Sequence, residues 1–501
     1  MKVFLRYKVE ILVLTLLAAL YFALRLPNLT LQPIFADEAI YVRWAQVMKS
    51  EPTLRFVSLS DGKTPLFMWM MIPLFKVFED PLFAGRFLSV LSGSGTLLGV
   101  FLLTRKVFGK TASYWSALIY VIAPYTVFFD RMALVDSMLA MFTVWSVYMA
   151  VWLLQTPRLD LAMILGYFLG GGLLTKTPGM FNLLVLPVSI LGFRFQRGSN
   201  NLIRLLLLWS VALIIGLGIY NILRLGPGFE QLSTRNQDYV FSPTELVGRP
   251  LDPFIPHLKD MADWFPKILT WAGLVFIGLG VIRSLVERNR LGWVVLVWAL
   301  VPLMIQMAFL KTFTARYLLS SIPLLIVLSG YGITLVLEKF KFSKLIAIPA
   351  MFLLVTIQAL YFNYYLLTDP AKAPLPKSER RGYLEDWTAG YGLKEVASFL
   401  EEKSKEGKVV VATEGFFGTL PDGLYIYLDK ADIAIIGGKA IIPENIREAA
   451  EENQVYFVGN RNRIKGNIDN VELIKEYEKV RPLDDKYPQD AIQLYRVFPE
   501  N

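Results

Sequence analysis

Twelve apolar runs punctuate this chain, at 9–26, 64–78, 81–103, 112–129, 137–155, 159–175, 178–193, 203–223, 266–282, 291–310, 315–337 and 345–366. Most carry almost no charge and lie near the roughly 17–25 residues that a helix needs to cross a bilayer. Composition agrees. The chain is 54% hydrophobic and only 19% charged, against about 45–50% and 25% for soluble domains. The formal net charge is +9, but Lys and Arg recur in short loops between apolar runs. That pattern belongs to membrane topology and not to nucleic-acid binding. With no Cys, disulfides and thiolate metal sites are excluded, and the single His257 leaves no His cluster for a metal.

One run is too weak to cross. The segment 64–78 is short, contains Pro73 and Lys76, and as a helix would reach only about 22 Å. Placing it in the interface puts Arg105, Lys106, Lys110, Arg158, Arg194, Arg197, Arg204, Arg283, Arg288, Arg290, Lys339, Lys341 and Lys344 on one side, thirteen basic residues in all. The opposite short loops hold four: Arg131, Lys176, Lys311 and Arg316. The positive-inside rule assigns the rich side to the cytoplasm. Letting 64–78 cross inverts both sets and contradicts the basic N-terminus (Lys2, Arg6, Lys8). The apolar stretch Ile11–Ala23 is followed by Leu24-Arg25-Leu26-Pro27 and not by a small-x-small site, so it reads as an uncleaved first span with a cytoplasmic N-terminus.

The expected fold is a polytopic all-α membrane protein with about eleven transmembrane helices and interfacial helices in the first outer loop. The membrane domain covers 1–367. From about 368 the chain becomes charged, and short segments such as Val409–Ala412 and Ile433–Ile436 alternate with helical stretches at 391–405 and 444–452. Residues 368–501 therefore read as a small extracytoplasmic α/β domain. Outer loops span 27–80 and 224–265.

Ionisable groups near a membrane are costly and often functional. In the first outer loop, Ile40, Trp44, Val47 and Met48 fall at helical spacing, so an amphipathic interfacial helix is expected with Asp37 and Glu38 in its first turn. The two acids either complement the helix dipole or supply a base. Lys63, in Asp61-Gly62-Lys63-Thr64-Pro65, either snorkels or binds phosphate. Asp130, Arg131 and Asp136 share a tight outer loop, solvated or functional. Arg86, Lys176 and Arg316 stand at outer span ends, as lipid-headgroup anchors or as ligands of an anion.

Several of these residues occur in an order that resembles a known family. Asp37-Glu38-Ala39-x-Tyr41, Lys63-x-Pro65-Leu66, Arg86 in the next span and Leu134-x-Asp136-Ser137 follow one another. Leu173-Leu174-Thr175-Lys176-x-Pro178 and Arg316-Tyr317-Leu318-Leu319 come later. Over about 9–340 the chain is similar to the GT-C membrane glycosyltransferases, on the branch of the protein O-mannosyltransferases and the lipid A aminoarabinose transferases. In that family the first-loop acid matching Asp37 is catalytic and the second-loop acid matching Asp136 lies in the same site. Gly62 stands where the family often has an acid, with Asp61 one position earlier.

The resemblance implies transfer of a sugar from a polyprenyl-phosphate donor to an extracytoplasmic hydroxyl or amine, with inversion. Asp37, Glu38 and Asp136 are the expected catalytic acids. Tyr41, Lys63, Arg86, Arg131, Lys176, Arg316 and Tyr317 are the expected substrate-binding residues. No cofactor is implied, although a divalent metal is compatible. The expected partners are the lipid-linked donor, a protein, lipid or glycan acceptor and membrane lipids, with no nucleic acid. The alternative is a polyprenyl-linked glycan transporter or flippase. The absence of internal repeats and of acids at the midplane of the spans favours the enzyme.

Overall fold

Proline placement and apolar length decide where this chain is helical. The structure, a computed structural model, describes residues 2–193, 199–249, 251–339, 344–438, 440–442, 444–465 and 469–499. The basic residues Arg194, Arg197 and Lys341 lie outside the described residues. The chain divides into two compact units. The first comprises Met1–Pro27, Phe56–Phe67 and Phe87–Leu367; the second comprises Asn28–Arg55, Met68–Arg86 and Thr368–Asn501.

Among the described residues, six helices are long and apolar enough to cross a membrane: Pro81–Phe108, Val135–Gln155, Asn200–Leu225, Arg290–Phe309, Ile322–Lys339 and Leu345–Thr368. The chain is a multi-pass membrane protein. Two further pairs pass the same test but are bent, Lys110–Ile122 with Pro124–Asp130 by 56° and Phe254–Ile268 with Trp271–Val286 by 111°. The first bend falls at Pro124, which has no N–H to continue the preceding helix and starts the next one instead. The sequence-based count of about eleven is larger because it also admits Leu159–Thr175, Thr177–Gly192 and the N-terminal helix Lys2–Ala23. The segment expected not to cross is short here too. It forms an α-helix at Leu66–Met71, then a 3-10 stretch at Ile72–Lys76 with Pro73 near its start.

In the first unit, helices close on one another through small residues. A Cβ at Gly166 would stand 2.7 Å from the Ile215 side chain, and one at Gly170 would stand 2.7 Å from Ile219. Close backbone approach of this kind drives association where lipid offers no hydrophobic gain. Asp130, expected on an outer loop, is instead the buried last residue of its helix. Its carboxylate pairs with Arg25 at 3.0 Å and accepts the hydroxyls of Tyr21 and Tyr120. Arg25 also donates to the carbonyls of Val121 and Tyr120 and to Thr126, and stacks 3.9 Å over Tyr21. A charge at this depth persists because each guanidinium nitrogen has a partner.

In the second unit, β1 (Ile34–Phe35) pairs antiparallel with β2 (Ala389–Gly390). Five strands follow: β3 (Val409–Glu414), β4 (Ile433–Gly438), β5 (Gln454–Asn460), β6 (Val471–Glu478) and β7 (Ala491–Val497). They form one sheet in the order β4-β3-β5-β7-β6, with β3 parallel to β4 and β5, and β7 antiparallel to β5 and β6. Val410, Ala412, Ile442, Ile446, Val455, Phe457 and Val497 form its core. The helix Leu393–Ser404 matches the expected stretch. The helix Ala36–Ser50 also forms, with Asp37 and Glu38 in its first turn. The expectation that its apolar face lies in the interface is corrected. Ile40, Trp44 and Met48 are buried, the helix packs on Asp422–Leu428, and Gln46 donates to the Ile426 carbonyl. Protein, not lipid, covers that face.

Gly93 tests the buried Arg25–Asp130 pair. A Cβ there would stand 2.4 Å from the Asp130 carboxylate and 2.3 Å from the Tyr21 hydroxyl. Gly93→Ala is expected to destabilise the protein by about 1–3 kcal/mol through overpacking. Gly218→Ala, with nothing within 4 Å, should be neutral or slightly stabilising. Thermal unfolding in detergent reads both, and equal midpoints would contradict the close contact at Gly93.

Candidate functional site

A cation is useful to an anionic ligand only if its position is fixed while donors remain for the ligand. In the first unit, the 3-10 stretch Val57–Asp61 ends at Gly62, whose φ of 68° turns the chain so that Lys63 follows. A Cβ at Gly62 would stand 2.7 Å from Arg235. This accounts for a glycine where the family pattern often has an acid. The neighbouring Asp61 is committed to Arg235 at 2.6 Å, which also pairs with Asp238 at 2.8 Å. The helix Gln231–Tyr239 then presents Tyr239 to Lys63: the ammonium lies 4.5 Å over the ring and 3.4 Å from the hydroxyl.

The chain continues from Tyr239 into an antiparallel bridge between Val240 and Leu310, and Lys311 donates its amide to the Tyr239 carbonyl at 2.8 Å. The segment from Lys311 leads into the turn Ala315–Leu318, which carries Arg316 and Tyr317. Lys176, at the C-terminal end of Leu159–Thr175, lies 4.3 Å over the Tyr317 ring, and the Arg316 guanidinium lies 5.2 Å over the same ring. Lys176 pairs with Asp136 at 2.6 Å, Asp136 being in the first turn of Val135–Gln155. The structure therefore brings Asp136, Lys176, Arg316 and Tyr317 together, while Lys63 stands on Tyr239, whose carbonyl accepts the Lys311 amide. Cations braced against aromatic faces are electrostatically favoured and oriented.

Arg131 is used differently. It is buried and donates to the carbonyls of Arg25 and Pro27 at 2.6 and 2.9 Å, beyond the end of the first helix. In the second unit Arg86 is also committed. Its five N–H groups go to the two carboxylate oxygens of Glu38 at 2.8 and 2.7 Å and to the carbonyls of Leu29, Gln32 and Pro33. Both partners of this pair are at most 1% exposed. The Glu38 carboxylate also accepts the Phe35 amide at 2.9 Å, closing the first turn of Ala36–Ser50. All five guanidinium N–H groups of Arg86 are thus used, and the pair holds the start of Ala36–Ser50. Asp37, one residue earlier, is only half-buried. Tyr41 is buried against Trp44, with ring centroids 6.0 Å apart.

Sequence reasoning missed Arg235 and Tyr239. For Arg235 the i,i+3 spacing to Asp238 was the available signal. Among the described residues, no three His, Cys, Asp or Glu side chains cluster as a metal site requires.

Residues 62–220 match the family model described as dolichyl-phosphate-mannose-protein mannosyltransferase. A search of curated protein sequences finds no match. Among solved structures, the chain resembles ArnT from Cupriavidus metallidurans bound to undecaprenyl phosphate. The TM-score is 0.63 at 14% identity, covering 97% of this chain and 98% of that one. It also resembles the archaeal oligosaccharyltransferase AglB from Archaeoglobus fulgidus in complex with an inhibitory peptide and a dolichol-phosphate. There the TM-score is 0.56 at 14% identity, covering 91% of this chain and 70% of that one. The chain shares the fold of these two structures.

Within that fold, the motif residues fall into two kinds. Lys63, Lys176 and Arg316 are braced on tyrosines, whereas Glu38, Arg86 and Arg131 are buried and tied to their surroundings. The distinction is testable at Glu38. Glu38→Gln leaves the buried Arg86 guanidinium without its counter-ion, an expected loss of about 3–5 kcal/mol. Turnover per folded molecule should survive. Unchanged thermal unfolding together with abolished turnover would show that Glu38 is instead the reacting acid.

Proposed function

We propose that this chain is a glycosyltransferase that takes a sugar from a polyprenyl-phosphate carrier and passes it to an extracytoplasmic acceptor hydroxyl or amine. The observation that carries the reading is the arrangement of Lys176, Asp136, Arg316 and Tyr317, with Lys63 held on Tyr239. The family-model match over 62–220 supports it. So does the likeness to proteins whose structures hold undecaprenyl phosphate or dolichol-phosphate. The topology that goes with this reading has about eleven spans, a cytoplasmic N-terminus, and both reaction and C-terminal segment outside.

In the proposed reaction, Asp37 takes the proton from the acceptor as its oxygen or nitrogen attacks the anomeric carbon. The bond from that carbon to the carrier phosphate breaks on the opposite face, inverting the centre and releasing polyprenyl phosphate. The donor bond is already activated, so no nucleotide enters. Negative charge grows on the departing phosphate, and Lys63, Lys176 and Arg316 are the cations assigned to it. Such contacts act more strongly on the transition state than on the bound donor. Asp136 keeps Lys176 in place.

The test is turnover per folded molecule in nanodiscs. Asp37→Asn is nearly isosteric and should lower turnover by about 10²–10⁴-fold, the usual contribution of a positioned base. Lys63→Gln, Lys176→Gln and Arg316→Gln should each cost about 1.5–3 kcal/mol of transition-state stabilisation, as expected for charge-assisted hydrogen bonds. Cations that serve only as headgroup anchors predict lower yield of folded protein at unchanged turnover. Turnover within a few-fold of wild type for Asp37→Asn would remove Asp37 as the base.

A further inference from the structure

In the sheet of the second unit, β3 lies between β4 and β5 and is parallel to both. The chain leaves β3 toward β4 on one side, and leaves β5 toward β7 and β6 on the other. This is a topological switch point, and in open α/β sheets the crevice outside the strand ends at such a point is where ligands bind. Residues 415–418 follow β3 and residues 461–465 follow β5. Trp387 touches both loops: a Cβ at Gly418 would stand 3.5 Å from its ring, and the Arg463 guanidinium lies 4.3 Å over it.

The strand ends hold Arg463 through a chain of buried polar groups. Arg463 pairs at 2.7 Å with Glu414, the last residue of β3. Glu414 accepts at 2.8 Å from the amide of Asn460, the last residue of β5. The Asn460 carbonyl accepts at 2.6 Å from Lys479, whose ammonium also pairs with Asp490 at 2.9 Å and donates to the Asp386 carbonyl. Glu414, Asn460, Lys479 and Asp490 are all buried, while the Arg463 side chain is 40% exposed. A fully satisfied buried network is rigid, and what this one fixes at its open end is a guanidinium on an indole face.

The loop after β3 adds aromatic surface. Gly415 and Gly418 have φ of 94° and 104°, and the two residues between them, Phe416 and Phe417, are 69% and 44% exposed. Phe417 packs near Trp44, with ring centroids 5.8 Å apart. The proposed base is close by in the same unit, because the Ala36 amide donates to the Thr388 carbonyl at 3.0 Å, one residue from Trp387 and one from Asp37.

Aromatic faces match the C–H face of a pyranose ring, and a fixed guanidinium supplies donors for its hydroxyls. We infer that this crevice is an acceptor subsite for a pyranose, with Trp387 and Phe416 as stacking surfaces and Arg463 as the hydrogen-bond donor. Its place in the reaction rests on the glycosyltransferase reading; its sugar binding does not.

Saturation-transfer NMR on the full-length protein in nanodiscs tests this, with methyl α-D-mannopyranoside, methyl β-D-glucopyranoside and methyl β-D-galactopyranoside as probes. At least one probe should show transfer to its ring protons, reduced at least fivefold by Phe416→Ala and by Arg463→Gln. Phe416 is largely exposed, so its removal leaves the core intact. No transfer to any probe, or equal transfer in both variants, overturns the subsite. Carrier release by wild-type protein is measured alongside. Release without variant-sensitive sugar binding defeats the subsite alone, whereas variant-sensitive binding without release supports the subsite and defeats the transferase reading.

Discussion

Burying a charge costs several kcal/mol unless each of its donors and acceptors is matched, and this chain is organised around that cost. Arg25 with Asp130, Arg86 with Glu38, and Lys479 with Asp490 and Asn460 are each buried and each densely bonded. The first fixes the N-terminal helix against Lys110–Ile122 and Pro124–Asp130. The second fixes the start of Ala36–Ser50 and so the direction in which Asp37 leaves it. The third stiffens the ends of β3 and β5.

Against that background the other cations stand out. Lys63, Lys176 and Arg316 are partly exposed, and each is braced on a tyrosine ring. A cation on an aromatic face is electrostatically favoured and oriented, and Lys176 is held by Asp136 as well. Saturated and braced cations differ in their surroundings, and under the proposed reading the braced ones are the candidates for the carrier phosphate.

Much of this was legible in the sequence. Apolar length marked the membrane helices, and helical spacing marked Ala36–Ser50 with both acids in its first turn. The alternation after residue 368 marked the strands β3 and β4. What was not legible depended on partners far away in the chain. β1 pairs with β2 across more than 350 residues, so the first outer loop could not be seen to fold with the C-terminal segment, and its apolar helix face was assigned to lipid. Glu38 and Arg86 carry charges beside apolar runs, as catalytic groups do. That one satisfies the other is visible only in the structure. Tyr239 gave no signal of its own, because an aromatic in a polar loop acquires meaning only when a lysine is found on its face.

The central claim is that a bond between sugar and polyprenyl phosphate is broken. Purified wild-type protein in nanodiscs, given a panel of polyprenyl-phosphate sugars and mixed protein, lipid and glycan acceptors, should release free polyprenyl phosphate from at least one donor. Release should depend on acceptor, and the transferred sugar should have inverted anomeric configuration. Movement of the intact lipid-linked sugar between leaflets, with no free carrier from any donor, would contradict the account and make the chain a transporter.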